Sequence, residues 1–128
     1  MTRILLTVTA IVEGIVGIGL LITPVPVVTI LLNTPLETAG GLVAARLAGT
    51  ALVTLAFCCW KARNFEIPQA AMGIVAAMLF YNFAAAAVLV YAGVRLGLQS
   101  PFIWPTIVAH AVLGLWCALL VWLSMRKH

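Results

Sequence analysis

Long apolar runs alternate with short polar breaks along this sequence, and the alternation predicts the fold. Each of four runs is long enough to cross a bilayer, since roughly 20 apolar residues rising about 1.5 Å each span a hydrocarbon core of about 30 Å. We expect one all-α domain over residues 1–128, an integral membrane four-helix bundle. The predicted helices cover approximately residues 4–22, 39–60, 69–93 and 102–123.

The breaks between the runs carry residues that end or begin helices. Thr23–Pro26 stops the first helix, because proline lacks an N–H and disfavours helix at the residue before it. Val27–Leu32 is apolar but too short to cross a bilayer, so we expect a short interfacial segment between the first two long helices. Pro68 is placed to open the third. Ile4–Ile22 is too long for the apolar part of a signal peptide and is expected to be a retained helix.

Composition supports the membrane interpretation. Of the 128 residues, 65% are hydrophobic and 8% are charged, whereas soluble domains are about 45–50% apolar and about 25% charged. This composition argues against a soluble protein. The formal charge of +4 comes from basic residues at the ends of the runs, where they set membrane topology, so we expect no nucleic-acid partner.

The same basic residues predict the orientation in the membrane. One side of the bundle receives Arg3, Lys61, Arg63, Arg126 and Lys127, and the other receives Arg95. Lysine and arginine are enriched in cytoplasmic loops. We therefore expect a multi-pass protein of the bacterial inner membrane with both termini in the cytoplasm (N-in/C-in).

Small residues in the second run predict close helix packing. Gly41, Ala45 and Gly49 recur every four residues along one helix face. Small side chains at this spacing let helix backbones approach each other, which is a main packing device inside a bilayer. The same face could serve packing within the chain or between chains, so a homo-oligomer stays open.

Every long run also contributes a polar or ionisable residue to one slab of the predicted bundle. The set is Glu13, Arg46, Tyr81, Asn82 and His110. A charge at the centre of a bilayer costs about 2.5–3.5 kcal/mol on insertion scales and marks a functional candidate. Because Glu13 is the only acid inside an apolar run, we predict a buried ion pair between Glu13 and Arg46.

Two interpretations of this polar set stay open. In the first, the ion pair and the hydrogen bonds of Asn82 and His110 lock one arrangement of the helices. In the second, the same groups line a ligand pocket or a proton path. A histidine and a carboxylate in one slab can bind the head of a quinone or pass a proton, because imidazole titrates near neutral pH.

The sequence offers little for metal or nucleophilic chemistry. Cys58, Cys59 and Cys117 lack the spacing of zinc ligands and are expected to be buried free thiols. Apart from His128 at the chain end, His110 is the only histidine, so a bis-histidine haem cannot form. The sequence carries no Gly-rich nucleophile turn. We expect no metal, no cofactor other than a quinone, and a non-enzymatic protein.

Motifs in the first half resemble the DoxX-like group of small four-helix bacterial membrane proteins. They are Glu13-Gly14, the stretch GIGLLITP at 17–24, the stretch ARLAGTAL at 45–52, and Trp60-Lys61-Ala62-Arg63. The resemblance implies an inner-membrane bundle, which in some members is a subunit associated with quinone-linked redox enzymes. It implies no catalytic residues, because the group shares no catalytic motif that can be aligned here.

The chain is also similar in length, span number and the position of Glu13 to small multidrug-resistance transporters. It departs from them at Arg46, which is expected to neutralise Glu13, and in its aromatic pattern. Our leading expectation is an accessory subunit that binds a small quinone- or lipid-like ligand, with the lipid bilayer and membrane-complex subunits as partners. The alternatives are a proton-coupled small-molecule transporter and a redox-complex subunit.

Overall fold

The structure, a computed structural model, describes residues 1–65 and 68–126. Glu66 and Ile67 of the predicted turn, and Lys127, which entered the predicted orientation, lie outside the described residues. Five helices occupy most of the described chain: α1 (Thr2–Ile22), α2 (Pro24–Leu32), α3 (Ala39–Ala62), α4 (Pro68–Arg95) and α5 (Ile103–Met125).

The long helices α1, α3, α4 and α5 are long and apolar enough to cross a membrane. Their bounds agree with the predicted ones to within two residues, which confirms the all-helical four-helix architecture. Large apolar side chains cover their outward faces, among them Phe80, which is 78% exposed, and Ile15, which is 68% exposed. Apolar surface of this extent is what a multi-pass membrane protein presents to lipid.

The short segment predicted after α1 is a helix, which begins three residues earlier than the expected Val27. Proline is tolerated in the first turn of a helix, and Pro24 occupies that position in α2. Asn33 ends α2 in the left-handed conformation, with φ of 51°. The hydroxyl of Ser100, in the loop between α4 and α5, donates a 2.6 Å hydrogen bond to the Ile30 carbonyl. This bond ties α2 to the α4–α5 loop across one end of the bundle.

The four long helices form two tightly packed antiparallel pairs. In the first pair, α1 packs against α3, with Gly14 opposite Ala56 and Gly17 opposite Gly49. In the second pair, α4 packs against α5. The pairs meet along a more sparsely packed seam, where α1 contacts α4 and α5 and where α3 contacts α4. We call the end of the bundle that carries Met1 the termini end and the opposite end the α2 end.

Glycine brings the backbones of α1 and α3 into direct contact. A Cβ atom added to Gly17 would lie 2.9 Å from the Gly49 carbonyl oxygen, and one added to Gly49 would lie 2.7 Å from the Gly17 oxygen. No side chain fits at either position without moving a backbone. The predicted small-residue face of α3 therefore serves packing within the chain, at Gly49.

The apolar core occupies the half of the bundle nearest the termini end. Its fully buried members come from all four long helices. They include Leu5 and Leu6 of α1, Cys59 of α3, Met78 of α4 and Cys117 of α5. These apolar residues fill the seam at the termini end, and the polar residues lie further toward the α2 end.

Candidate functional site

The site is built around Glu13, whose side chain is 2% exposed. Glu13 shares the buried face of α1 with Thr9 and Gly17, at intervals of four residues. The hydroxyl of Tyr81 on α4 donates a 3.1 Å hydrogen bond to Glu13 Oε2. Because this bond joins α1 to α4, it crosses the seam between the two helix pairs.

Asn82 and His110 form the second half of the site. The amide nitrogen of Asn82 donates to the carbonyl of Met78 at 2.8 Å, so the amide oxygen faces His110. That oxygen lies 3.0 Å from His110 Nδ1. An amide oxygen only accepts, so Nδ1 carries the proton in a neutral imidazole, and Nε2 keeps its lone pair. The backbone of α4 thus selects the tautomer of a histidine on α5.

Tyr81 connects the two halves. Its ring meets the His110 ring edge to face, with centroids 5.7 Å apart and an interplanar angle of 78°. Glu13, Tyr81, Asn82 and His110 therefore form one continuous group, which we call the polar cluster. Four of the five residues predicted from sequence to form a buried polar set are brought together.

The polar cluster lies near mid-height of the bundle. Glu13 is eleven residues into α1 and Tyr81 is thirteen residues into α4, which places them about 17 Å and about 20 Å from the termini end at 1.5 Å per residue. A bilayer core is about 30 Å thick, so these groups are far from water on both sides. The polar cluster therefore lies at the depth where burying a polar side chain costs the most free energy.

Arg46, the fifth predicted residue, is not part of the cluster, and the predicted Glu13–Arg46 ion pair is wrong. The Arg46 side chain is exposed on the outside of α3. The bond that the structure gives the Glu13 carboxyl comes from the Tyr81 hydroxyl.

The Gly17–Gly49 contact explains why the pair cannot form. Arg46 lies three residues from Gly49 toward the α2 end, and Glu13 lies four residues from Gly17 toward the termini end. At 1.5 Å per residue the two residues are about 10 Å apart along the bundle. Side chains on a helix lean toward its N-terminus. Because α1 and α3 are antiparallel, the two side chains therefore lean away from each other.

Two residues that the sequence analysis missed lie at depths near that of the cluster. Among the described residues, Thr9 Oγ1, Glu13 Oε1 and Trp116 Nε1 are buried polar atoms without a hydrogen-bond partner. Thr9 is one turn from Glu13, a signal that was available in the sequence. Trp116 is nine residues from the end of α5, about 14 Å from the termini end and so at a depth between Thr9 and Glu13. Buried polar groups without partners are rare and call for an explanation.

The remaining candidate groups lie elsewhere. Cys58, Cys59 and Cys117 are free thiols, and Cys59 and Cys117 are buried in the apolar core. In residues 1–65 and 68–126, no group of three or more His, Cys, Asp or Glu side chains could hold a metal ion. An open groove at the α2 end, lined by Thr29, Asn33 and Glu37 among others, contains no member of the polar cluster.

Comparison of the chain with protein-family models, with curated proteins and with solved structures found no match. The resemblance to the DoxX-like group therefore stays a prediction that rests on the sequence motifs. The chemistry of the site has to be argued from its own atoms.

Those atoms offer a definite set of hydrogen-bonding groups. Glu13 Oε1 accepts a hydrogen bond when ionised and donates one when protonated, and His110 Nε2 accepts. Trp116 Nε1 donates, and the Thr9 hydroxyl does either. A molecule entering the seam would meet both donors and acceptors inside an otherwise apolar bundle.

Proposed function

We propose that this protein is an accessory subunit of the bacterial inner membrane, with both termini cytoplasmic, that binds a small quinone- or lipid-like ligand at the polar cluster. One observation carries the proposal: within the described residues, Glu13 Oε1 is buried at the seam without a hydrogen-bond partner, and Thr9 Oγ1 and Trp116 Nε1 also lack one at nearby depths. Ligand sites commonly lie between the helices of a bundle and combine apolar walls with a few polar groups.

The chemistry of a quinone head fits these groups. A quinone presents carbonyl oxygens, which accept from the Trp116 N–H or from a protonated Glu13. The reduced quinol presents hydroxyls, which donate to His110 Nε2 or to an ionised Glu13. The apolar tail of such a ligand would lie among the apolar helix faces and the surrounding lipid. The protein supplies binding and orientation, and electron transfer belongs to a partner complex.

Replacing Trp116 with phenylalanine is expected to weaken the binding of a short-chain ubiquinone about tenfold, the effect of losing one hydrogen bond to a ligand in an apolar site. The variant also loses part of the packing of the indole ring against the apolar core, so each protein is compared with its own ligand-free melting temperature. The measurement is the rise in melting temperature in detergent as the quinone is titrated.

Trp104→Phe is the matched control, since Trp104 is 46% exposed near the start of α5. We expect this variant to bind the quinone as the unmodified protein does. The proposal fails if the quinone does not raise the melting temperature of the unmodified protein, or if both tryptophan variants bind it equally well.

A specific observation also favours proton-coupled transport as a second candidate. The argument against transport was that Arg46 neutralises Glu13, and the structure places Arg46 outside the cluster. A carboxyl without a cation partner near mid-bilayer can alternate between a proton and a cationic substrate. Such intramembrane acids mark ion pathways in many transporters.

For the transport candidate, we expect liposomes carrying the protein to move a lipophilic cation such as ethidium in exchange for protons that flow down an imposed pH gradient. Glu13→Gln should abolish this movement, and Arg46→Gln should leave it intact because Arg46 lies outside the seam. Glu13→Asp, which keeps the carboxyl, should retain part of the flux. Equal flux in Glu13→Gln and unmodified liposomes rules out a proton-coupled mechanism at this residue.

A further inference from the structure

Arg46 presents a separate problem, because its charge lies on the outward face of a helix that is apolar enough to cross a membrane. Its exposed neighbours Val43 and Leu47 are 59% and 65% exposed. An unpaired guanidinium facing hydrocarbon is expensive, so a partner has to cover it.

The neighbouring polar groups on α3 do not supply that partner. The Thr50 hydroxyl donates to the carbonyl of Arg46, at 3.0 Å, and the Thr54 hydroxyl donates to the carbonyl of Thr50, at 2.9 Å. A neutral hydroxyl can accept a hydrogen bond from a guanidinium, but it does not balance the charge. The guanidinium is the one group on this flank that requires an anion.

The two carboxylates that the structure describes are also poorly placed. Glu13 is buried in the seam and held by Tyr81. Glu37 lies in the loop before α3, and the first residue of α3 is already about 10 Å from Arg46 along the helix, at 1.5 Å per residue. The same argument weighs against a second copy of the chain, whose outward helix faces would offer Arg46 no carboxylate among the described residues.

The direction in which the Arg46 side chain is expected to extend favours a lipid phosphate as its partner. Arg46 is seven residues from the start of α3, about 10 Å from the α2 end. Helical side chains lean toward the helix N-terminus, which for α3 is the α2 end. The long alkyl stem of arginine can lie along apolar surface while the charged head reaches the interface. The planar guanidinium then offers paired N–H groups that match a phosphate.

We propose that Arg46 holds the phosphate group of a phospholipid on the outside of α3, in the leaflet at the α2 end. The acyl chains of this lipid lie over the apolar outward face of α3, beside Val43 and Leu47. The site is separate from the polar cluster, because the Arg46 side chain is exposed whereas Glu13 is 2% exposed.

The test titrates phosphatidylglycerol into the protein in a neutral maltoside detergent and measures lipids bound per chain by native mass spectrometry. Arg46→Gln is expected to weaken the tightest lipid-binding step about tenfold, the loss of a charge-assisted hydrogen bond. The lipid affinity of Arg46→Lys should lie between those of Arg46→Gln and the unmodified protein. Lysine keeps the charge but loses the paired N–H geometry. Arg46→Gln removes a charge from an apolar span, so it is expected to insert and fold.

Arg95→Gln is the matched control, since Arg95 is an exposed arginine at the end of α4, beside the α4–α5 loop. Its lipid binding should equal that of the unmodified protein. Equal losses in Arg46→Gln and Arg95→Gln would show general charge attraction and overturn the site. So would displacement of the lipid by inorganic phosphate at a matching concentration. A change from dimer to monomer in Arg46→Gln, with lipid binding unaltered, would show that the outward face of α3 binds a second copy of the chain instead of a lipid.

Discussion

Gly49→Ala is expected to destabilise the protein by about 1–3 kcal/mol, the usual cost of adding a group to a well-packed core. The added Cβ would lie 2.7 Å from both the oxygen of Gly17 and the nitrogen of Leu21. Both atoms belong to the backbone of α1, so no side chain can rotate away, and the two helices must separate. Gly17→Ala should behave alike, because its Cβ would lie 2.8 Å from the Val53 nitrogen. Denaturation in mixed micelles, followed by circular dichroism, measures the change.

Gly73→Ala provides the control for this experiment. Gly73 lies within α4, and a Cβ added there meets no atom within 4 Å. Alanine favours helix over glycine by roughly 0.5–1 kcal/mol, so this variant should be as stable as the unmodified protein or slightly more stable. If Gly49→Ala and Gly73→Ala shift stability alike, α1 and α3 do not touch through their backbones.

Glu13 and Tyr81 are expected to be energetically coupled across the seam by about 0.5–3 kcal/mol, the range found for residues in contact. Tyr81→Phe removes the hydroxyl that donates to Glu13 Oε2 and leaves the buried carboxyl without a partner, at a cost of about 1–3 kcal/mol. Glu13→Met leaves the tyrosine hydroxyl unpaired. The double variant removes both groups, so it should lose less stability than the sum of the two single variants.

The comparison pair for this cycle is Glu13→Met with Arg46→Met. Distant residues without shared partners add to within about 0.3–0.5 kcal/mol, and we expect that result because Arg46 lies on the outside of α3. Strong coupling between Glu13 and Arg46, together with additivity between Glu13 and Tyr81, would restore the ion pair and contradict the arrangement of the seam.

These two experiments address different levels of the structure. The glycine variants test the packing inside one helix pair, and the Glu13–Tyr81 cycle tests how the two pairs meet. A ligand in the seam must separate groups between pairs without disturbing either pair. In the structure, the backbones of α1 and α3 touch at Gly17 and Gly49, whereas the two helix pairs approach each other less closely.

The sequence by itself determined the helices and the position of each polar residue along its own helix. A helix satisfies its own backbone hydrogen bonds, so a long apolar run is sufficient to predict a span, and the bounds of α1 and α3 agree with the apolar runs closely. Depth follows from counting residues at a constant rise. That count correctly placed Glu13, Tyr81, Asn82 and His110 in one slab. The end of α1 before Pro24 and a short segment after it also followed from local signals, although α2 includes both prolines that were expected to precede it.

Only the tertiary structure decided which helix faces meet. Counting gives height along a helix but not its rotation about its own axis, and rotation is set by contacts between distant segments. The Gly17–Gly49 contact fixed the height of α1 against α3 and so separated Glu13 from Arg46. At the seam, the partner of the Glu13 carboxyl is a tyrosine hydroxyl and not the predicted cation. The ion-pair prediction failed because opposite charge alone does not bring two side chains together when backbone packing holds their helices in another register.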